Sequence, residues 1–202
     1  MRKNILGGLA IGLGCMGFCS VDDKYIGALL FCIGLVTICS REWGLFTGKL
    51  CKINSTADLA LTWGLNLVGI AVSTLLYRFS GADCTKAVAV ATAKLQKSPL
   101  EIILSAILCE ICIYIAVIGY GKIEFEIGKY ISIILGVVVF ILCGFEHSIA
   151  DMFYAFFMPF SIKTVLFVIL VTVGNIVGAI LMRLFDRDDD LDIIFATRQF
   201  KI

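Results

Sequence analysis

The stretch GFEHSIADMFYAFFMPF (residues 144–160) contains the only histidine of the 202-residue chain, His147, with Glu146 before it and Asp151 after it. These polar residues interrupt one of the most apolar parts of a sequence that is 60% hydrophobic and only 16% charged. A soluble domain of this length does not need so apolar a composition. A bilayer is therefore the expected solvent, and the polar residues inside the apolar stretch require an explanation.

Apolar runs organise most of the chain. They cover residues 4–21, 25–40, 59–77, 102–121 (interrupted by Glu110), 130–145 continuing through 152–162, and 164–182. A spanning helix needs about 20 residues, and the first, third, fourth and sixth runs provide them. The second and fifth runs are too short and end at Arg41–Glu42 and at Glu146–His147. Because irregular backbone at membrane depth is tolerated only inside protein or beside a cavity, both interruptions predict a solute pathway.

The first run has some features of a signal peptide, since Met1–Lys3 is basic and Cys15–Ser20 supplies small residues. Its apolar stretch is longer than the usual signal, and the other runs need it to complete a symmetric set, so we expect a membrane helix. With the amino end in the cytoplasm, the cytoplasmic segments hold more lysines and arginines than the outer ones. We therefore expect both termini inside, with residues 183–202 as a cytoplasmic tail that includes the run DRDDDLD.

Two asparagines mark a repeat. GLNLVGIA (64–71) and GNIVGAIL (174–181) share an Asn-[Leu/Ile]-Val-Gly core at Asn66 and Asn175, and each follows one interrupted run. Three helices repeated after an odd number of crossings run in opposite directions through the membrane. This predicts an all-α membrane protein with six transmembrane helices in an inverted 3+3 repeat, with a single domain over 1–182 and halves of about 1–80 and 98–182. Interhelical hydrogen bonding is the other role open to both asparagines, and orienting an interrupted loop satisfies both.

The cysteines and the charged residues indicate no other class of site. Most of the nine cysteines lie within apolar runs, where cysteine behaves as a small hydrophobe. The Cys109-x-x-Cys112 spacing has no second pair and no histidine nearby, so neither a metal nor another cofactor is expected. The net charge of +1 says nothing about nucleic acid, but the sequence has no basic patch with interleaved aromatic residues, so no nucleic-acid partner is expected.

Two segments resemble the formate/nitrite transporter family. FCIGLVTICSREWGLFTGKL (31–50) is similar to its FxxGLxxxxxxxLFTG motif, and CGFEHSIADMF (143–153) is close to its GFEHSIANMF signature. The resemblance implies a six-helix, aquaporin-like protomer in a homopentamer, surrounded by lipid in a prokaryotic plasma (inner) membrane. It also implies that each protomer passes small monovalent anions or their conjugate weak acids, such as formate, nitrite or hydrosulfide.

The same resemblance implies roles for individual residues. His147 matches the central pore histidine and Thr47 the loop threonine that faces it. Lys94 matches a basic residue of the outer vestibule, with Lys97 as a rival, and Glu146 supports the loop. The apolar constriction is matched by four residues, Phe31, Leu35, Phe46 and Phe140.

These residues suggest a mechanism. An anion is costly to desolvate at the bilayer centre, so a pore must supply positive potential or convert the anion to a neutral acid. Imidazole titrates near neutral pH, so His147 can do either. We expect Lys94 to concentrate anions, Thr47 and His147 to receive the solute, and proton sharing to let a neutral form cross.

The chain departs from the family at several polar positions. Gly44 stands where an acidic residue usually precedes LFT, Lys49 follows FTG, and Glu110 and Asp151 replace asparagines. Arg41 and Glu42 add charges just before the first motif. The favoured interpretation is a buried Arg41 paired with Glu110 or Asp151. In the alternative, the two carboxylates are unpaired, so they repel anions and suit a weak acid that enters the pore as a neutral molecule. A long amino-terminal segment is also missing, so gating by one is not expected.

Other function classes have less support in the sequence. A neutral-solute channel of aquaporin type lacks its paired Asn-Pro-Ala loops. A membrane enzyme that used Glu146, His147 and Asp151 as acid and base lacks a nucleophile or a metal-binding set, so no enzyme activity is expected. A non-transporting structural subunit is the remaining alternative.

Overall fold

The predicted apolar runs fold as helices in the computed structural model, which describes residues 1–52 and 54–186. Within these residues the chain forms α1 (Arg2–Cys19), α2 (Lys24–Arg41), α3 (Phe46–Leu50), α4 (Thr56–Phe79), α5 (Thr85–Leu95), α6 (Pro99–Lys122), α7 (Glu126–Leu142), α8 (Ser148–Ala155) and α9 (Ile162–Phe185). The second and fifth apolar runs form α2 and α7, and each is followed by a non-helical segment and a short helix.

Four of these helices, α2, α4, α6 and α9, are long and apolar enough to cross a membrane. The expectation that the second run is too short is corrected, because α2 begins before the run at Lys24 and includes Arg41, which gives it 18 residues. The first run, expected to span, forms α1, which is not among the four. Its sequence is rich in glycine and begins with Arg2 and Lys3, which lowers its hydropathy.

Polar caps set where several helices begin. The Asp23 carboxylate accepts the backbone N–H groups of Tyr25 and Ile26 at the start of α2. Ser98 and Glu101 form a reciprocal capping box at the start of α6. Such caps satisfy amide groups that have no partner within the helix, so they fix these starting points.

Two similar packing arrangements build the core. Helix α1 packs against α2 and α4, α6 packs against α7 and α9, and α2 packs against α7. Glycines allow the closest approaches, since a Cβ at Gly69 of α4 would lie 2.0 Å from the Ile5 carbonyl oxygen of α1. A Cβ at Gly178 of α9 would lie 2.7 Å from the Ile107 carbonyl oxygen of α6. The pair α1–α4 thus has a counterpart in α6–α9.

Helix α8 differs from the sequence expectation. The fifth apolar run continues through residues 152–162, but α8 begins earlier, at Ser148, and ends at Ala155. A proline ring clashes with the carbonyl group four residues earlier in a helix, so Pro159 explains why the helix stops at Ala155. Helix α5 contacts α8 and lies in a segment without an apolar run.

The predicted tail at 183–202 begins inside a helix, because α9 extends to Phe185. The rest of that predicted tail, residues 187–202, lies outside the described residues. The predicted boundaries of the domain and its halves stay predictions.

Candidate functional site

The two interruptions leave their helices in the same way. After α2, the Trp43 N–H donates to the Ile38 carbonyl at 2.9 Å, and after α7, the Phe145 N–H donates to the Phe140 carbonyl at 3.0 Å. Both turns use a left-handed residue, Glu42 with φ 53° and Gly144 with φ 68°. This is the hydrogen-bond pattern of a helix carboxyl end closed by a left-handed residue. Both segments are therefore defined turns rather than frayed helix ends.

An asparagine holds each interruption in place. Asn66 of α4 accepts the Phe46 N–H at 2.9 Å and donates to the Gly44 carbonyl at 2.9 Å. It also donates to the Asn4 carbonyl of α1 at 2.6 Å. One side-chain amide thus satisfies the backbone on both sides of Leu45 and ties it to α1.

The second interruption has the same arrangement. Asn175 of α9 accepts the Ser148 N–H at 2.9 Å and donates to the Glu146 carbonyl at 3.1 Å. It also donates to the Ala106 carbonyl of α6 at 2.8 Å. Asn175 brackets His147 as Asn66 brackets Leu45, so both asparagines orient the non-helical segments and join helices at once.

The two interruptions meet at a contact between Thr47 and His147. Thr47 Oγ1 lies 3.0 Å from His147 Nε2, and both residues are buried. His147 also caps α8, because its Nδ1 accepts the Ala150 N–H at 3.1 Å. An Nδ1 that accepts a hydrogen bond carries no proton, so the neutral ring has its proton on Nε2 and donates it to Thr47. The Thr47 hydroxyl hydrogen remains free to donate elsewhere.

Apolar side chains surround this contact. The Phe140 ring stacks on the His147 ring with centroids 5.8 Å apart, and Phe31 meets Phe140 edge-on at 5.7 Å. Leu35 and Phe46 are buried in the same hydrophobic cluster. The structure therefore brings the predicted central pair and the residues predicted for the constriction into one buried region.

Lys94, predicted as a basic residue of the outer vestibule, is bound to two carboxylates. Its ammonium group contacts the Glu146 carboxylate and lies 2.8 Å from Asp151 Oδ1, and its side chain is only 15% exposed. Lys97 reaches Glu146 at 2.5 Å and the Gly144 carbonyl at 2.9 Å. Two lysines are thus matched by two buried carboxylates, and the positive charge of Lys94 is already paired.

The favoured pairing of Arg41 with Glu110 or Asp151 is wrong. Arg41 and Glu42 are both exposed, since they end α2 at the surface. Asp151 instead faces the carboxyl end of α5 and pairs with Lys94. The sequence did not predict this pair, because no apolar run marks α5 and because its position against α8 depends on the tertiary fold.

A second ion pair lies beside the first interruption. Lys49 Nζ is 2.7 Å from Asp58 Oδ2 and donates to Thr62 Oγ1 at 3.0 Å. Lys49 is the fourth residue of α3, as Asp151 is the fourth of α8. Two of the departures from the family motifs therefore lie at equivalent positions, with opposite charges, and each has a partner.

Glu110 has no ion-pair partner in the part of the chain that the structure describes. Its side chain is 0% exposed, and its Oε1 accepts from the Cys51 thiol at 3.7 Å. Its Oε2 has no hydrogen-bond partner among the residues described by the structure. Cys51 follows Thr47 by one helical turn, and its sulfur also lies 3.4 Å from the Thr47 carbonyl oxygen, so these two acceptors share the single thiol hydrogen. Glu110 thus contacts a residue that lies one helical turn after Thr47.

Comparison with known proteins agrees with this geometry. The family profile described as Formate/nitrite transporter matches residues 1–185. The chain is 28% identical over 176 residues to the uncharacterized transporter YrhG of Bacillus subtilis (strain 168), which covers 78% of this chain and 65% of YrhG. It is 28% identical over 162 residues to the formate channel FocA of Escherichia coli (strain K12), which covers 70% of this chain and 55% of FocA. The chain therefore spans less than two thirds of the length of these relatives.

Solved structures share the fold. One described as an FNT family ion channel superposes with a TM-score of 0.80 at 24% identity, covering 90% of this chain and 85% of that one. A pentameric formate channel with formate bound superposes with a TM-score of 0.76 at 23% identity, covering 89% of this chain and 91% of that one. With its profile matched from residue 1 to residue 185, this chain belongs to the formate/nitrite transporter family.

Proposed function

We propose that the chain is one protomer of a membrane channel or transporter for small monovalent anions or their conjugate weak acids, of the formate, nitrite and hydrosulfide class. The observation that carries the proposal is the Thr47–His147 contact, which joins two helix interruptions in an apolar region. Polar backbone and a histidine at such a position are expected beside a solute path.

The proposed architecture is an inverted 3+3 repeat of six transmembrane helices, with the chain interrupted after α2 and after α7. The paired asparagines support it, because Asn66 joins α4 to α1 as Asn175 joins α9 to α6. The equivalent glycines Gly69 and Gly178 support it as well. In repeats of this kind, the solute site forms where discontinuous helices meet.

At the site, His147 and Thr47 would hold the solute by hydrogen bonds. The Thr47 hydroxyl hydrogen is one free donor, and the His147 Nε2–H becomes a second when a solute oxygen replaces Thr47 Oγ1 as its acceptor. Two donors on adjacent side chains suit a carboxylate-like oxygen pair. The amino end of α8 adds its positive dipole. The proton is shared through Nε2, because Nδ1 caps α8. Phe31 and Phe140 form an apolar barrier against hydrated ions.

The charge distribution favours a weak acid that crosses as a neutral molecule. Lys94 and Lys97 are matched by Glu146 and Asp151, so the pairs attract anions less than two free lysines do. The name of FocA, a formate channel, and the formate-bound solved structure support formate as the first solute to test. The names of these matched proteins favour transport over the membrane-enzyme alternative.

We further propose a homopentamer in the inner membrane, surrounded by lipid, with both termini in the cytoplasm. The solved pentameric formate channel with the same fold supports the assembly. The excess of lysine and arginine in the segments assigned to the cytoplasm supports the orientation.

The test is a flux panel in proteoliposomes with formate, nitrite, hydrosulfide, lactate and acetate across a pH series. We expect saturable or pH-dependent flux of at least one solute, and a marked loss in His147→Phe and in Thr47→Ala. Unchanged flux and unchanged pH dependence in both variants would contradict the proposal. Passage of water or glycerol without any effect of an anion gradient would favour a neutral-solute channel.

A further inference from the structure

The histidine of the site is poorly placed to give up a proton. A neutral imidazole that lost its Nε2 proton would become an anion in a buried, apolar setting, which is unfavourable. A second proton on Nδ1 would displace the Ala150 N–H and leave the start of α8 without its cap. His147 can therefore orient a solute and share a hydrogen bond, but a transferable proton is better supplied by another group.

The carboxylates nearest to His147 are already occupied. Glu146 is adjacent in sequence and contacts both Lys94 and Lys97. Asp151 pairs with Lys94. A proton taken up by either carboxylate would remove its ion pair with a buried ammonium group, which is unfavourable. Neither residue suits the role.

Glu110 is different, because it is fully buried and no cation lies beside it among residues 1–52 and 54–186. The titratable groups facing it are the Cys51 thiol at the end of α3 and the Cys109 thiol on its own helix. Helix α9 presents Gly178, whose position is close enough for an added Cβ to lie 2.8 Å from the Glu110 Cβ. The ionisable side chains of α9 and α7 lie toward the ends of those helices, at Lys163, Arg183, Glu126, Lys129 and Tyr130.

A buried carboxylate without a cation is costly, whereas a carboxylic acid in the same place is tolerated. Glu110 is thus held as the neutral acid, and one of its oxygens is free of protein partners within the described chain. Glu110 lies on α6 and contacts Cys51, the residue directly after α3 and one turn from Thr47. The acid therefore adjoins the short helix that carries Thr47.

We propose that Glu110 is the proton-carrying residue of the Thr47–His147 site. The inference rests on the proposed function and names the group that neutralises the solute. The O–H bond of Glu110 breaks, its electron pair stays on the carboxylate, and an O–H or S–H bond forms on the solute anion. The site holds one negative charge before and after this step, so the transfer moves charge without adding any. Once the neutral solute has left, the carboxylate regains a proton from water.

The experiment compares the full chain with Glu110→Gln in proteoliposomes. Glutamine keeps the shape and the hydrogen-bonding capacity but has no proton to transfer. Glu124→Gln is the matched control, since Glu124 is exposed between α6 and α7. Formate uptake is measured from acidic to mildly alkaline pH, beside uptake of formamide, an uncharged molecule of similar size. An infrared spectrum records the carboxylic-acid C=O band.

We expect Glu110→Gln to lower formate flux on the order of 100-fold, the size of effect typical of a lost proton-transfer group, and to flatten its pH profile. Formamide flux stays close to that of the unaltered chain, the infrared band disappears, and Glu124→Gln changes none of these. Formate flux retained in Glu110→Gln with the same pH profile would overturn the inference, as would an equal loss of formate and formamide flux. If the unaltered chain carries no solute of the panel, the proposed function itself fails, independently of Glu110.

Discussion

At the residue scale, Lys94 shows how one side chain can hold two parts of the site. Its single ammonium group contacts Glu146 in the second interruption and Asp151 in the first turn of α8. Lys97 contacts only Glu146 among these acids, and its side chain is 30% exposed against 15% for Lys94. Removal of one partner from a buried ion pair leaves a charge without compensation, so the two lysines should differ in their effect on stability.

We expect Lys94→Gln to lower the free energy of unfolding by about 3–5 kcal/mol, since it leaves Asp151 buried without a cation and Glu146 with Lys97 alone. Lys97→Gln should lower the free energy of unfolding by clearly less. Adding Asp151→Asn to Lys94→Gln should recover part of the loss, because the charge left without a cation is gone. Thermal unfolding of the purified protein in detergent measures all three variants. Equal losses in the two single variants would contradict the assigned pairing.

The ring of His147 gives a second prediction at this scale. Because Nδ1 accepts the Ala150 N–H, we expect the neutral ring to carry its proton on Nε2. The chain has one histidine, so a ¹⁵N NMR spectrum of histidine-labelled protein contains only this ring. Thr47→Val should shift the Nε2 resonance and leave Nδ1 unprotonated. A proton on Nδ1 in the unaltered protein would refute the hydrogen-bond assignment.

At the element scale, close packing of α1 on α4 depends on a glycine. The backbone of α1 lies so near Gly69 that a Cβ there would be 2.0 Å from the Ile5 carbonyl oxygen and 2.6 Å from the Leu9 nitrogen. Gly64, on the same helix, has no atom within 4 Å of its added Cβ. Contacts of backbone with backbone cannot relax by a change of rotamer, so the helices must move apart.

Gly69→Ala and Gly64→Ala therefore form a matched pair on α4. We expect Gly69→Ala to destabilise the fold by about 3 kcal/mol or more, the upper range for overpacking. Gly64→Ala should be neutral or stabilising by up to about 1 kcal/mol, because alanine favours the helix. Unfolding midpoints in mild detergent compare the two. A similar loss in both would show that the α1–α4 distance does not limit this position.

The sequence predicts the helices and their interruptions better than it predicts the polar contacts between helices. Charged residues inside apolar runs marked both interruptions, and the shared motif at Asn66 and Asn175 indicated the two residues that hold them. The partner of Asp151 was not predictable, because its position depends on where α5 packs. The exposure of Arg41 was likewise missed, since it depends on α2 ending at the surface. Local patterns fix the helices, whereas ion pairs depend on which helices meet.

At the scale of the whole molecule, large apolar side chains cover the outside. They follow one face of α4, at Leu61, Val68, Val72, Leu75 and Phe79, and one face of α9, at Leu166, Ile169, Val173, Ile180 and Leu184. Exposed apolar surface of this extent needs lipid or neighbouring protein around it. The proposed pentamer in a bilayer would supply both.

The proposed assembly predicts a particle of about five times 22.1 kDa for this chain, beyond bound lipid and detergent. Native mass spectrometry from a mild detergent measures it, and release in a harsher detergent should give the 22.1 kDa monomer. A stable monomer or dimer across mild detergents would contradict the pentamer. Light scattering with a detergent correction provides an independent mass.

The hydrogen bonds of Asn66 and Asn175 to the interrupted segments affect how such a sequence can diverge in evolution. In the interrupted segments, the side-chain amides of Asn66 and Asn175 form hydrogen bonds with backbone atoms. These hydrogen bonds do not depend on which side chain the residue between those atoms carries. Aspartate lacks the donor and leucine lacks both groups, so few exchanges are tolerated at the two amides. The asparagines therefore place no restriction on the side chain at Leu45 in one half or at His147 in the other. A duplicated segment could in this way keep one shape while acquiring a histidine in a single copy.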